Sequence, residues 1–428
     1  MGYSIDIQFF NTFIIRSANS ALHFEESRIK GGFNEPFVAI GPKAHIVDEN
    51  FAGQRRGNAL IYSGVYNSRT DINRTNVFSS AEPITRAVDP ANGDINKLHA
   101  EDTNLNILQE NKVSYALIDK DALFTAEGGQ LTASGAAVIG QIVPYQGEYG
   151  TTHPESFAIK GIRKYFVDKN RAAVLRLSRD GITEISNYGM RDYFRDSISL
   201  ITEDYPNNKI IGFYDDHDDQ YVVSLQDALL GLQPDGNYAG HETLSFDDSA
   251  NGWVSFYDYK PDFGFSHNKE LFTLNSNNLW KHYVNLARNT FYVNQNSEPQ
   301  SYASYITFVA NAEPSSVKNF LSINYEGTSY WTMESAKAQD GIRNTTQEAK
   351  EIDNAELSLT GDIISQFKKK EDKYYSHITN NTGAIKDGVV GVDTAGISGL
   401  FSIVEMSNGY TGGEQELFSV SHNITKSS

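Results

Sequence analysis

Apolar and polar positions alternate over short runs along most of this chain, and the runs come in pairs split by tips rich in Asn, Asp, Ser and Lys. In "GFYDDHDDQYVVSL" (212–225), two aromatic-rich runs flank four aspartates and one histidine. A period of two sends successive side chains to opposite faces of a strand, and Asp and Asn are ordinary turn residues. The pattern predicts strands over 210–214 and 221–225 joined by a solvated tip. The same form recurs in "NLNILQENKVSYALI" (104–118, turning at 110–112) and "KYFVDKNRAAVLRLS" (164–178, turning at 168–170). It recurs again in "TLSFDDSANGWVSFYDY" (243–259), "ELFTLNSNNLWKHYV" (270–284, turning at 275–278) and "ELSLTGDIISQFKKKEDKYYSHI" (356–378), the last turning at a lysine-rich tip. Asn251-Gly252 marks the turn of 243–259, because both residues tolerate positive φ.

The turns fall at irregular intervals, so no regular solenoid repeat is present. Hairpins in series fit a propeller with unequal blades, or a sandwich with long excursions. The expected fold is mainly β: a β-propeller-like or multi-hairpin β architecture with a few short helices and a C-terminal β-rich region. Helical text is limited to "SSAEPITRAVD" (79–89), "GMRDYFRDSISLIT" (189–202) and "TTQEAKEIDNAE" (345–356). In the first, a Ser cap precedes Pro83 in the first turn. The polar stretch "NQNSEPQSYAS" (294–304) reads as a junction. It divides a β-propeller-like region with an N-terminal strand segment (1–293) from a C-terminal β-rich region (294–428). The opening "GYSIDIQFFNTFII" reads as strand almost from the first residue, so the chain reads as a piece of a longer polypeptide.

Composition narrows the function. Tyr and Phe number 24 each against 3 Trp and 4 Met, which suits pleated, half-buried surfaces. The net charge of -18 repels phosphate and disfavours a nucleic-acid-binding surface. The chain has no cysteine, so disulfides, thiolate zinc sites and cysteine nucleophiles are excluded. No apolar stretch is long enough to span a bilayer as a helix, and the first residues lack a signal-peptide pattern.

Candidate chemistry is weak throughout. Asp215, Asp216, Asp218 and Asp219 are possible calcium ligands, and His217 in the same tip reads as merely exposed. Their spacing lacks the bend glycine and distal glutamate of an EF-hand, so the hairpin-tip reading is preferred. "SRDGIT" (178–183) approximates the turn of sialidase-type blades but lacks one residue between Asp180 and Gly181, and a plain turn is preferred. "GFSHN" (264–268) is no nucleophile elbow, and His241-Glu242 has no second histidine at zincin spacing. "EGGQLTASGAAVIG" (127–140) lacks a phosphate-loop lysine and reads as a flexible loop leading into a strand. "KKKEDK" (368–373) reads as a solvated tip rather than an anion site. The aromatics of "WVSFYDYKPDFGF" (253–265) read as core rather than as a sugar-stacking platform. The acids are too many to single out a glycosidase pair. No catalytic, cofactor-binding or metal residue is assigned, and no cofactor is expected.

Longer blocks carry a resemblance. "FEESRIKGGFNEP" (24–36), "YNSRTDINRTNVFSSAEPITRAVDPANGDINKLHAEDTNLNILQENKVSYALIDKDALFTAEGG" (66–129), "GEYGTTHPESFA" (147–158) and "KYFVDKNRAAVLRLSRDGITEISNYGMRDYFRD" (164–196) look like the muzzle, or tail stabilisation, proteins of crAss-like bacteriophages. "WVSFYDYKPDFGF…ELFTL" (253–274), "SYITFVANAEPSSVKNFLSINYEG" (304–327) and "ELFSVSHN" (416–423) agree in the same order. The chain resembles the C-terminal portion of longer family members. The resemblance implies a non-enzymatic structural protein of the virion tail, made in the host cytoplasm and related to β-propeller nozzle proteins. It implies a homo-oligomeric ring at the distal tail that closes the DNA conduit, meets DNA only transiently, and docks the hub and fibres. The N-terminal strand text (3–15) is the expected site of strand exchange with a neighbour. A glycan-binding or glycan-degrading tail tip is the alternative.

Overall fold

A computed structural model describes residues 12–16, 22–26, 56–64, 66–78, 84–101, 104–124, 130–202, 208–231, 239–284, 287–292, 302–339, 346–349, 367–378, 385–386, 389–390 and 396–426. The protein is mainly β, and among the described residues none of its sheets closes into a barrel. It divides into two compact units, Met1–Asn277 and Asn278–Ser428.

The first unit is organised by antiparallel meanders that follow one another in chain order. The first comprises β1 (Ile95–Ala100), β2 (Asn104–Gln109), β3 (Val113–Phe124) and β4 (Gln130–Pro144). The second comprises β5 (Ala158–Lys160), β6 (Arg163–Asp168), β7 (Ala173–Ser178) and β8 (Gly181–Glu184). After the helix α1 (Arg191–Leu200) comes the third, β9 (Lys209–Asp215), β10 (Gln220–Gln226), β11 (Glu242–Asp247) and β12 (Gly252–Tyr257). A hairpin of β13 (Phe263–His267) and β14 (Glu270–Asn275) follows.

The register explains why some strands alternate poorly in sequence. Val167 pairs with Val174 and Tyr165 with Arg176, whereas Phe166 pairs with Leu175 and Lys164 with Leu177. Tyr165, Val167 and Val174 pack towards the third meander, in a cluster with Ile210, Tyr221, Val223, Leu225, Leu244 and Phe246. Phe166, Ala173, Leu175 and Leu177 pack towards the first meander, against Leu108 and Val113. A strand buried on both faces must be apolar at nearly every position, so "YFV" and "AVLRL" read as runs. The helix α1 lays Phe194, Ser197 and Ile198, at i, i+3 and i+4, onto the cluster between the second and third meanders.

The backbones at the starts of the last sheets approach closely. A β-carbon at Gly212 of β9 would lie 2.1 Å from the Ser156 carbonyl oxygen and 2.6 Å from the Tyr221 hydroxyl. One at Gly264 of β13 would lie 2.4 Å from the Phe213 ring. Both positions therefore require glycine for space rather than for dihedral freedom.

The second unit is a sandwich of two antiparallel sheets. One has the order β15 (Ser304–Ala310), β22 (Ser402–Asn408), β17 (Thr332–Gln339), β18 (Thr346–Ala349). In the other, β16 (Lys318–Gly327) is central. It is flanked by β20 (Lys373–His377) and β21 (Ile397–Gly399) and, across its other edge, by β23 (Leu417–Lys426); β19 (Lys368–Lys370) adds to β20. Phe320, Ile323, Tyr325, Phe367, Ile378 and Ile397 of one side meet Trp331, Met333, Ala336, Ala338, Val404 and Met406 of the other. Inward-facing positions of both sheets thus fill one core.

The hairpins expected at 104–118, 164–178, 210–225 and 243–259 are present, and the lysine-rich tip turns through Glu371 and Asp372, both at positive φ. Three helix or loop expectations are corrected. Thr85–Ala87, expected to be helical, is a strand paired with Ala59–Ile61, and Asp89 caps a short 3-10 turn instead. Thr346–Ala349 is likewise a strand, paired with β17. Gln130–Pro144 is a 15-residue strand rather than a loop over its first part. In all three, cross-strand pairing supplies backbone hydrogen bonds that a short, poorly amphipathic helix or an open loop would not. Of the N-terminal strand text, Thr12–Arg16 pairs with Leu22–Glu26, and residues 3–11 lie outside the described residues. No helix among the described residues is long and apolar enough to cross a membrane.

The close approach at β9 gives a direct test of the stacking. Gly212→Ala is expected to destabilise the protein by about 1–3 kcal/mol through overpacking, read as a lowered urea midpoint. Truncating the fully buried ring in Phe166→Ala is expected to cost about 3–5 kcal/mol.

Candidate functional site

The acidic tip at 215–219 closes the β9–β10 hairpin. Asp215 is buried, and its carboxylate accepts from the His217 amide, forming an Asx turn. Asp219 takes positive φ to complete the loop. Lys160, at the end of β5 in the neighbouring meander, donates to Asp216 at 2.8 Å and lies 2.7 Å from Asp219. Its ammonium also sits 5.0 Å above the Tyr214 ring. The hydrogen bonds to Asp216 and then Asp219 push the Lys160 pKa up, holding it charged. His217 pairs with Asp218 at 2.6 Å. The tip is thus divided between turn formation and a bond to the next sheet.

A second polar bridge lies between the same two sheets. Asp248, directly after β11, accepts from Arg163 at 2.8 Å, from Arg176 at 2.5 Å and from the Tyr165 hydroxyl. Its side chain is only 10% exposed, so the carboxylate depends on these donors in place of water. Burial and then the Asp248 hydrogen bond push the Tyr165 hydroxyl pKa well up, which fixes it as a donor. Between the first and second meanders, the buried Lys164 pairs with Glu101, and Glu101 also accepts from Asn106. Burial pushes the Glu101 carboxyl up, but the Lys164 and Asn106 bonds outweigh it and leave the pKa below its ordinary value. Between the third meander and the hairpin after it, Ser266 accepts from the Asp216 amide and donates to the Tyr214 carbonyl.

The other sequence candidates fall into the same structural role. Ser266 of "GFSHN" makes those bonds to β9, and the adjacent His267 is exposed. His241 is half-buried, and Glu242 accepts from Tyr193 and Ser197, docking α1 onto the third meander. Ser178 pairs with Gly181 in a tight turn at 178–183. Trp253 packs 4.5 Å from Phe194 and donates to the Ile185 carbonyl, while Phe256 and Phe263 of the same aromatic stretch are exposed. Among the described residues no group of three or more His, Asp and Glu could hold a metal.

The second unit carries a different feature. The edge strand β19 presents Lys368, Lys369 and Lys370, all exposed. Charge of this kind blocks pairing with another chain. The edge strand β15 has no charge and no proline across "SYITFVA", and among the described residues it pairs only with β22. Tyr305 and Val309 are 65% and 58% exposed on one face, and Ile306 is 39% exposed on the other. This guarded–unguarded asymmetry was not inferred from the sequence, although the lack of charge in 304–310 was visible. Lys160, Lys164 and Asp248 were missed for a firmer reason: their partners lie 56 or more residues away.

Removing the Asp248 carboxylate tests the bridges. Asp248→Ala is expected to destabilise by about 3–5 kcal/mol, because the largely buried Arg176 loses its carboxylate partner. Arg163→Ala, at an exposed guanidinium, is expected to cost less than about 1 kcal/mol. Chemical denaturation of the full chain reads both.

Comparison with known proteins adds the family. The family described as "Crassvirus muzzle protein C-terminal domain" matches residues 287–381, which include β15, β16, β17 and the lysine-guarded hairpin. No curated protein matches the chain. Over these residues the chain is similar to the C-terminal domain of the muzzle proteins of crAss-like phages, and that similarity suggests a structural component of the phage tail.

Proposed function

We propose that this chain is one copy of a homo-oligomeric ring at the distal tail, which closes the DNA conduit and docks the hub and fibres without catalysis or cofactor. The observation that carries the reading is the match of residues 287–381 to the muzzle C-terminal domain. The polar chemistry of the first unit supports a mechanical role, since the Asp215, Asp216 and Asp248 carboxylates are engaged in a turn and in bonds between sheets. Close-packed sheets with cross-sheet ion pairs resist deformation.

The propeller-like reading rests on three successive four-stranded meanders, each with the up-and-down order of a propeller blade. On this reading, residues 1–293 form the conduit-side region and 294–428 the docking region. A ring of identical chains needs heterologous contacts that close on themselves. The unguarded edge of β15 is where a strand from a neighbour would add, since its backbone hydrogen-bonding groups and exposed Tyr305 and Val309 match that mode. The net charge of -18 favours a conduit wall that repels DNA during ejection. Synthesis in the host cytoplasm followed by delivery to the virion tail completes the reading.

Imaging purified virions with this chain labelled tests the location: density at the distal tail is expected, and label elsewhere overturns the reading. Val309→Lys is expected to lower assembly of the purified chain at least tenfold in analytical ultracentrifugation while leaving its unfolding midpoint within about 0.5 kcal/mol. Release of sugar from host glycans by the pure protein would instead establish a glycan-active tail tip.

A further inference from the structure

His422 lies on β23, where edge strands of the two sheets of the second unit meet. Its ring centroid is 6.0 Å from that of Phe308 on β15 and 5.9 Å from that of Phe320 on β16. Its cross-strand neighbour on β16 is Ile323, and Val420 and Ile424 flank it on its own strand. Both ring nitrogens are shut off from solvent, and among the described residues neither has a hydrogen-bond partner. A neutral imidazole normally satisfies one donor and one acceptor. Here the ring serves as an aromatic wedge between two phenylalanines.

We propose that His422 is an acid-sensitive latch holding β15 against β23. Gaining a proton turns the ring into a cation with two N–H donors and no acceptor. The two edges must then part to admit water, because burying an unpaired charge is more costly than opening a seam.

The charged groups on the surrounding strands do not relieve this. Lys318, on the same face of β16 as Phe320, turns its ammonium to the Glu313 and Ser316 carbonyls. Glu326 pairs with Lys373, and Lys426 pairs with Glu313. Glu405 of β22 sits beside Thr307 and Ser335, and Phe308 beside Val404, so the carboxylate is on the opposite face from the core. β15 carries no charge. Burial alone lowers the ring pKa from 6.5 to about 4. The unfolded or opened strand takes up its proton near 6.5, while the closed one does not. The stabilisation is therefore complete above pH 6.5 and is lost as pH falls towards 4, the open fraction rising about tenfold per pH unit in that window.

The experiment is amide hydrogen exchange on the full chain at pH 7 and pH 4.5, corrected for intrinsic rates. Peptides covering 304–310 and 417–426 are expected to exchange at least tenfold faster at pH 4.5, while those covering 209–226 change little. His422→Phe is expected to abolish the acceleration. His282→Phe, which removes another half-buried histidine of this unit, is expected to retain it. Equal protection of 304–310 and 417–426 at both pH values, or acceleration that survives His422→Phe, overturns the proposal. Should His422→Phe fail to fold, exchange at the imidazole C2 position of the unaltered chain decides: a His422 midpoint below 5 supports the latch, and one near 6.5 overturns it.

Discussion

The first unit depends on one constraint: a strand with apolar side chains on both faces must be covered on both. β6 and β7 are in that position, with Phe166 and Leu175 facing one neighbour and Tyr165 and Val174 facing the other. Such a sheet cannot stand alone, so the meanders stack. Stacking then brings polar strand ends together, and every buried polar group needs a partner when water is displaced. The Lys160, Lys164 and Asp248 bridges meet that requirement.

Much of the fold was legible because hairpins are local. The alternation around "DDHDD" and the Asn251-Gly252 dipeptide each determine a strand pair within about twenty residues. What stayed hidden was long-range. Nothing in the text near Lys160 marks Asp216 as its partner, and nothing near Asp248 marks Arg176. Local propensity also misled at Thr85–Ala87 and Thr346–Ala349, where pairing with distant strands outcompeted a weak helical signal. The acidic tip is a mixed case. Its hairpin was legible, whereas its bond to the neighbouring sheet was not.

The two units solve the problem of an acidic, cysteine-free chain differently. The first distributes stability over several face-to-face contacts, each joined by its own charged or hydroxyl bridge. The second concentrates it in a single apolar core between two sheets, with His422 and Lys318 as inward polar residues. Lys318 is satisfied by two carbonyls, and His422 is not satisfied at all. His422 is thus one point at which the second unit is open to perturbation.

The unequal edges of the sandwich have a consequence for growth. β15 carries no charge against strand addition, whereas β19 presents three ammonium groups. Lysine at β19 takes one edge of the sandwich out of uncontrolled strand addition, which leaves fewer routes by which folded chains could stick together.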